Sequence, residues 1–158
     1  RPVSMSSRLG SEWSGLQARD QEINVETDTP QKMRRIVQDI IDGLNAGDAE
    51  RILRHYAEDA TVEDPVGSEP VRGRTAIAEF YQRAVAIRAR IELVTPIRAS
   101  HGLAAAMAFN VRVDTPQGEM CIAVIEVLEF DATLKVTSMR AYWAPDDVLS
   151  VAPVGAGT

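Results

Sequence analysis

Apolar residues recur every three or four positions in residues 33–44, 52–56 and 77–85, and every second position from about 107 to 143. The first spacing is that of helices buried along one side; the second is that of half-buried strands. Met33, Ile36, Val37, Ile40, Ile41 and Leu44 form one stripe. Thr29 and Pro30 ahead of it predict the helix start, because Thr caps and Pro suits the first helical position. "NAGD" predicts its end at Gly47. Asp48 is placed to cap a second helix with Ile52, Leu53 and Tyr56 on one side. "GRTAIAEFYQRAVA" predicts a third, carrying Ile77, Phe80, Tyr81 and Val85.

The second half reads as strands. In "AMAFNVRV", Met107, Phe109, Val111 and Val113 alternate with Ala106, Ala108, Asn110 and Arg112, and "DTPQGE" makes the turn that follows. In "EMCIAVIEVLEF", Met120, Ile122, Val124, Glu126, Leu128 and Phe130 share one face, since strand side chains alternate with period two. "LKVTSMRAYW" predicts a last strand with Thr137, Met139, Ala141 and Trp143 on one face. A short strand at Ala60-Thr61-Val62-Glu63 precedes Asp64 and Pro65. Helices first and antiparallel strands after predict an α+β fold, helices packed on one face of a curved sheet.

Outside this patterned region the chain changes character. Residues 1–28 are polar without a sustained apolar period and read as a mobile leader; 151–158, "VAPVGAGT", read as a tail. Residues 29–150 then form a single domain, a size one core can serve. The net charge of −6, with no Lys/Arg cluster, argues against a nucleic-acid partner. Arg34-Arg35 and the spaced Arg83, Arg88 and Arg90 read as solvated faces. No apolar run approaches the ~18 residues that span a membrane. Cys121 is the sole cysteine, so no internal disulfide forms, and a reduced, cytoplasmic setting is the simplest expectation.

Two carboxyl groups stand out. Glu126 lies on an otherwise apolar strand face. Loss of hydration there favours the protonated form, and a neutral acid can donate a hydrogen bond to an oxygen that is gaining charge. The alternative is a sheet-edge residue or a partner of an arginine. Asp64 is held extended by Pro65. If Val62 points inward so does Asp64, while Thr61 and Glu63 face water; taken alone, an Asp-Pro at a strand end is a turn residue. His55 and His101 lack metal-ligand spacing, and there is no GxSxG, phosphate loop or zinc pattern. His55 reads as a helix-surface residue and Cys121 as a small packing residue.

"LNAGDAERILRHYAEDATVEDPVGSEPVRGRTAIAEFY" together with "MRAYW" resembles the bacterial Δ5-3-ketosteroid isomerases, from about Pro30 to Ser150. The resemblance implies a cone-shaped fold like nuclear transport factor 2: a curved, mostly antiparallel sheet and three helices enclosing an apolar pocket. It also implies a homodimer, a small hydrophobic substrate, and neither cofactor nor metal. The family's general base falls on Asp64 and its protonated acid on Glu126, where the family has Asp. Phe80, Met107, Phe109, Val111, Val124, Met139 and Trp143 match pocket-lining positions; without the resemblance they read as core. The family's principal oxyanion donor, a Tyr four residues before the Leu of "LNAG", is Ile40 in this chain. Tyr56 and Tyr81 match positions that support that Tyr in some relatives. The same signatures, "EDPVG" and "YW", are similar to polyether epoxide hydrolases and cyclases, which open an epoxide with a pair of acids. There Asp64 stays the base, and Glu126 or Glu92 in "RIELV" is the acid, although Glu92 reads as the solvated side of its segment. A non-catalytic protein that binds a hydrophobic ligand is the third expectation, favoured by Ile40.

Overall fold

The computed structural model describes residues 28–150. The expected leader and tail therefore lie outside the described residues, except for Asp28, which is already helical. Helix α1 covers residues 28–45, so Thr29 lies inside it rather than capping it, and Asp28 pairs with Lys32 one turn on at 2.8 Å. Gly47 ends the helical region as expected: its φ of 71° lies in the left-handed region where a side chain is strained. Asp48 caps α2 (Ala49–Leu53), its Oδ1 accepting the Arg51 N–H at 3.0 Å.

Helix α2 is shorter than the apolar spacing predicts. It stops at Leu53, and Tyr56 opens strand β1 (Tyr56–Glu63) instead of extending the helix. Ile52 and Tyr56 are both buried, but from different elements, so their four-residue spacing mimics a helical stripe. His55, expected on a helix surface, lies in the link between the two elements. Its Nε2 sits 2.7 Å from Asp39 Oδ2, on a carboxylate that also accepts from Arg51 and Arg54 and so ties α1 to α2.

The remaining elements are β2 (Val71–Arg72), α3 (Arg74–Ala86), β3 (Arg90–Leu93), β4 (Arg98–Ala99), β5 (Ala104–Thr115), β6 (Gly118–Phe130), β7 (Val136–Tyr142), a 3-10 turn (Pro145–Asp147) and β8 (Val148–Ser150). The sheet runs in the order β2-β1-β7-β6-β5-β3, with β4 on β5 and β8 on β6. Every pairing is antiparallel except β1 with β7. This is the curved, mostly antiparallel sheet expected.

The long β5–β6 hairpin keeps one register throughout, so its alternation reads directly: Met107, Phe109, Val124, Glu126, Leu128 and Phe130 are all buried. Strand β7 does not obey the simple alternation. A bulge opposite Glu129 and Phe130 shifts its register, and Val136 rather than Thr137 is the deeply buried residue at its start. Met139 and Ala141 point inward as predicted.

One core joins these faces to Met33, Val37, Ile40 and Ile41 of α1 and to Ile77 and Tyr81 of α3. Each large side chain fully buried there contributes about 1.5–3 kcal/mol, and the sum can absorb a buried acid. The edge strand β3 is fixed by an Asn45 side chain at the end of α1. Its amide donates to the Ile91 carbonyl at 3.0 Å and its oxygen accepts the Ile91 N–H at 2.7 Å. The side chain thus behaves as a further strand partner and sets the position of Ile91.

Candidate active site

Helix α1, helix α3 and the concave face of the sheet enclose a cavity of about 100 Å³. Two carboxyl groups, Asp64 and Glu126, stand in a wall that is otherwise Ile40, Leu44, Phe80, Met107, Phe109, Met139 and similar residues, with the Tyr81 ring beside them.

Glu126 reaches this place because it is in the middle of β6, opposite Met107 of β5 and Ala141 of β7. It is 6% exposed and the only buried charged or polar residue in the described core. Among the described residues its carboxyl makes no hydrogen bond. Burial, with the negative charge of Asp64 as a lesser cause, pushes its carboxyl up to about 8. Glu126 therefore carries its proton at neutral pH.

Asp64 follows the last residue of β1 and continues its alternation. Glu63 turns outward, where it accepts the Gly67 N–H at 2.9 Å and pairs with Arg140 at 3.2 Å. Asp64 turns inward, and its Oδ1 accepts the Trp143 indole N–H at 2.7 Å. Burial pushes the Asp64 carboxyl above its usual range and the indole N–H opposes that rise. Two carboxyls on one cavity wall do not both ionise cheaply, so the one with a donor keeps the charge. The site thus pairs a carboxylate on Asp64 with a carboxylic acid on Glu126.

The structure sorts the remaining expectations. Phe80, Tyr81, Met107, Phe109, Val111 and Met139 line the cavity; Tyr56, Val124 and Trp143 are not among the lining residues. Trp143 stands past the end of β7 and acts on the site through Asp64. Val124 is buried in the core opposite Phe109. Tyr56 lies behind Tyr81, the two hydroxyl oxygens 2.6 Å apart. Glu92 is on the outer face of β3 and pairs with Arg112 at 2.9 Å, so it is not the second acid of this cavity. Ile40 faces the cavity, so an apolar group occupies that position. Sequence reasoning placed Leu44 only in the helical stripe and missed Ala84, Ala89 and Ile91 as wall residues; small or singly spaced residues carry no pattern of their own.

Among the described residues there is no group of three metal-ligating side chains, and no helix is long and apolar enough to cross a membrane.

Comparison with known proteins agrees with this fold. The chain is 40% identical over 118 residues to a steroid Δ-isomerase of Nocardioides simplex, covering 75% of this chain and 94% of that protein. It is 32% identical over 108 residues to the epoxide hydrolase LasB of Streptomyces lasalocidi, covering 66% of this chain but 38% of that longer protein. Among solved structures, the epoxide hydrolase/cyclase-like enzyme SalBIII superposes with a TM-score of 0.70 at 28% identity, over 75% of this chain and 95% of that one. Residues 37–139 match the SnoaL-like domain, and the chain belongs to that family.

Proposed function

We propose that the protein is a cofactor-independent isomerase that shifts a double bond in a 3-ketosteroid or a similar enone through a dienolate. Asp64 takes a proton from the carbon between the ketone and the double bond and returns it to a ring carbon further along. Glu126, protonated, donates a hydrogen bond to the ketone oxygen as charge gathers there. The observation that carries this reading is the pair of carboxyls on one apolar wall, Glu126 buried and Asp64 accepting the Trp143 N–H. The steroid Δ-isomerase relative, matched over nearly its whole length, supports it.

Ligand pockets commonly measure about 300–1,000 Å³, so in this reading the cavity of about 100 Å³ takes the reacting end of the substrate rather than all of it. The rest of a fused-ring substrate lies toward Phe80, Ala84, Ile91 and Val111, the apolar lining residues that keep some exposure.

The test is purified protein mixed with a Δ5-3-ketosteroid, with conjugated-enone absorbance followed over time. Turnover well above the uncatalysed rate is expected. Its absence sinks the isomerase reading for that substrate. The second reading, epoxide opening, is favoured by Ile40: it requires the two acids but no dienolate site. Asp64 would activate the attacking hydroxyl or water and Glu126 would protonate the epoxide oxygen. Turnover of a polyether-type epoxide, with none of the ketosteroid, selects it. Ligand affinity without either turnover selects a binding protein.

The outer face of the sheet supports the homodimer. Ile125 and Tyr142, cross-strand partners, and Leu149 on β8 are large exposed apolar residues on adjoining strands. Sedimentation at micromolar concentration is expected to give twice the chain mass, and Ile125→Lys to lower it; a monomer at all concentrations refutes the pairing. The unpaired, buried Cys121 suits a reduced, cytoplasmic setting.

A further inference from the structure

We propose that Tyr81, on α3, supplies the hydroxyl donor to the substrate oxygen that α1 lacks at Ile40, and that Tyr56 holds it in position. The inference rests on the isomerase reading and adds a second donor beside Glu126.

The argument is an account of hydrogens. The Tyr56 and Tyr81 oxygens are 2.6 Å apart, so one hydroxyl donates to the other. Each hydroxyl has one hydrogen to give. Tyr56 is 1% exposed, does not line the cavity, and has no other hydrogen-bond partner among the described residues. If Tyr81 donated to Tyr56, the Tyr56 hydrogen would be buried without an acceptor, which costs about 1–3 kcal/mol. If Tyr56 donates, that hydrogen is satisfied, and the Tyr81 hydrogen is left over. Tyr81 is the member of the pair that lines the cavity, so the remaining hydrogen has the cavity to turn to.

The same arrangement strengthens the donor. A hydroxyl that accepts one hydrogen bond becomes a better donor of the next. The Tyr81 ring is held by an edge-to-face contact with Phe80, centroids 5.1 Å apart, and a tilted one with Tyr56 at 5.7 Å. Burial, the largest cause for each, keeps both phenols neutral at working pH. Tyr81 and Glu126 then form a two-donor oxyanion site from α3 and β6, with no contribution from α1.

Two readouts test this. Tyr81→Phe keeps the ring and removes the donor. It is expected to lower kcat on the ketosteroid by about 10²-fold, the low end for one oxyanion donor because Glu126 remains. The second readout does not depend on turnover. 2-Naphthol, whose ionised oxygen resembles the dienolate oxygen, should bind the wild-type protein partly as naphtholate, read by its absorbance, and Tyr81→Phe should reduce that fraction severalfold. Tyr56→Phe should lower kcat less, with KM unchanged and the naphtholate fraction reduced. Tyr81→Phe with wild-type kcat and wild-type naphtholate fraction overturns the proposal. A wild-type protein without ketosteroid turnover whose naphtholate fraction still falls in Tyr81→Phe retains the donor and refutes only the isomerase reading.

Discussion

Asp64→Asn is expected to lower kcat for ketosteroid isomerisation by about 10²–10⁴-fold, the range for loss of a positioned general base. The substitution is nearly isosteric. The amide oxygen still accepts the Trp143 N–H that Asp64 Oδ1 accepts at 2.7 Å, provided the amide turns that way. The fold and the cavity wall should therefore persist, and the thermal midpoint should stay at or above the wild-type value, because a desolvated charge is removed. What is lost is the carboxylate that the proposed reaction uses as its base; Glu126, the other carboxyl among the described cavity residues, already holds a proton in that proposal. The measurement is steady-state turnover beside a melting curve. A variant that melts normally and keeps more than a tenth of wild-type kcat would remove Asp64 from the chemistry.

Glu126 yields the second large effect, on rate and on pH dependence. Glu126→Ala should lower kcat by about 10²–10³-fold, the cost of one oxyanion donor. In the wild-type protein the donor is lost by ionisation. With its carboxyl pushed up to about 8, Glu126 donates below that pH and cannot donate above it. The rate should thus fall on the alkaline side of about pH 8. It should also fall on the acid side, as protonation of Asp64 removes the base, at a pH above the ordinary aspartate range. The two limbs belong to the pair, since each charge feels the other. Glu126→Gln keeps a neutral donor, so it should retain more activity than Glu126→Ala and lose the alkaline limb. A pH–rate profile of the three proteins checks this; an alkaline limb that survives in Glu126→Gln assigns it to another group.

The two helices and the hairpin that build most of the cavity were legible because each is long enough to repeat its period. Thirteen residues of α3 and thirteen of β6 fix which side is buried. On such a background Glu126 stands out as a polar residue in an apolar series. Asp64 was legible for a related reason: Val62 fixes which side of β1 faces in. The short strands were not. Strands β2 and β4 have two residues each and β3 four, too few to show alternation, and their existence depends on partners far along the chain. The bulge in β7 is invisible in composition and moved Thr137 off the face assigned to it. Tyr56 was misplaced because burial at four-residue spacing is shared by a helix and by a helix end followed by a strand. Its partnership with Tyr81 spans 25 positions, and only the packing of α3 on β1 brings the two hydroxyls together.

The buried acid has a consequence for folding itself. Between about pH 4.5 and 8 the folded chain keeps a proton on Glu126 that the unfolded chain releases. Folding in that window is a proton-uptake reaction, and stability falls as pH rises, by at most about 1.4 kcal/mol per pH unit, levelling off above 8. Asp64 adds to the same trend, its raised carboxyl also favouring the protonated folded chain. The scaffold titrates in the opposite sense. Asp39, held well below the usual carboxylate range by Arg51, His55 and Arg54, and Glu63, lowered chiefly by the Gly67 N–H, stabilise the ionised fold and lose that contribution in acid. Site and scaffold pull the stability optimum from both sides, toward mildly acid pH. The fold is then firmest on the acid side of the range in which its two carboxyls are set to work.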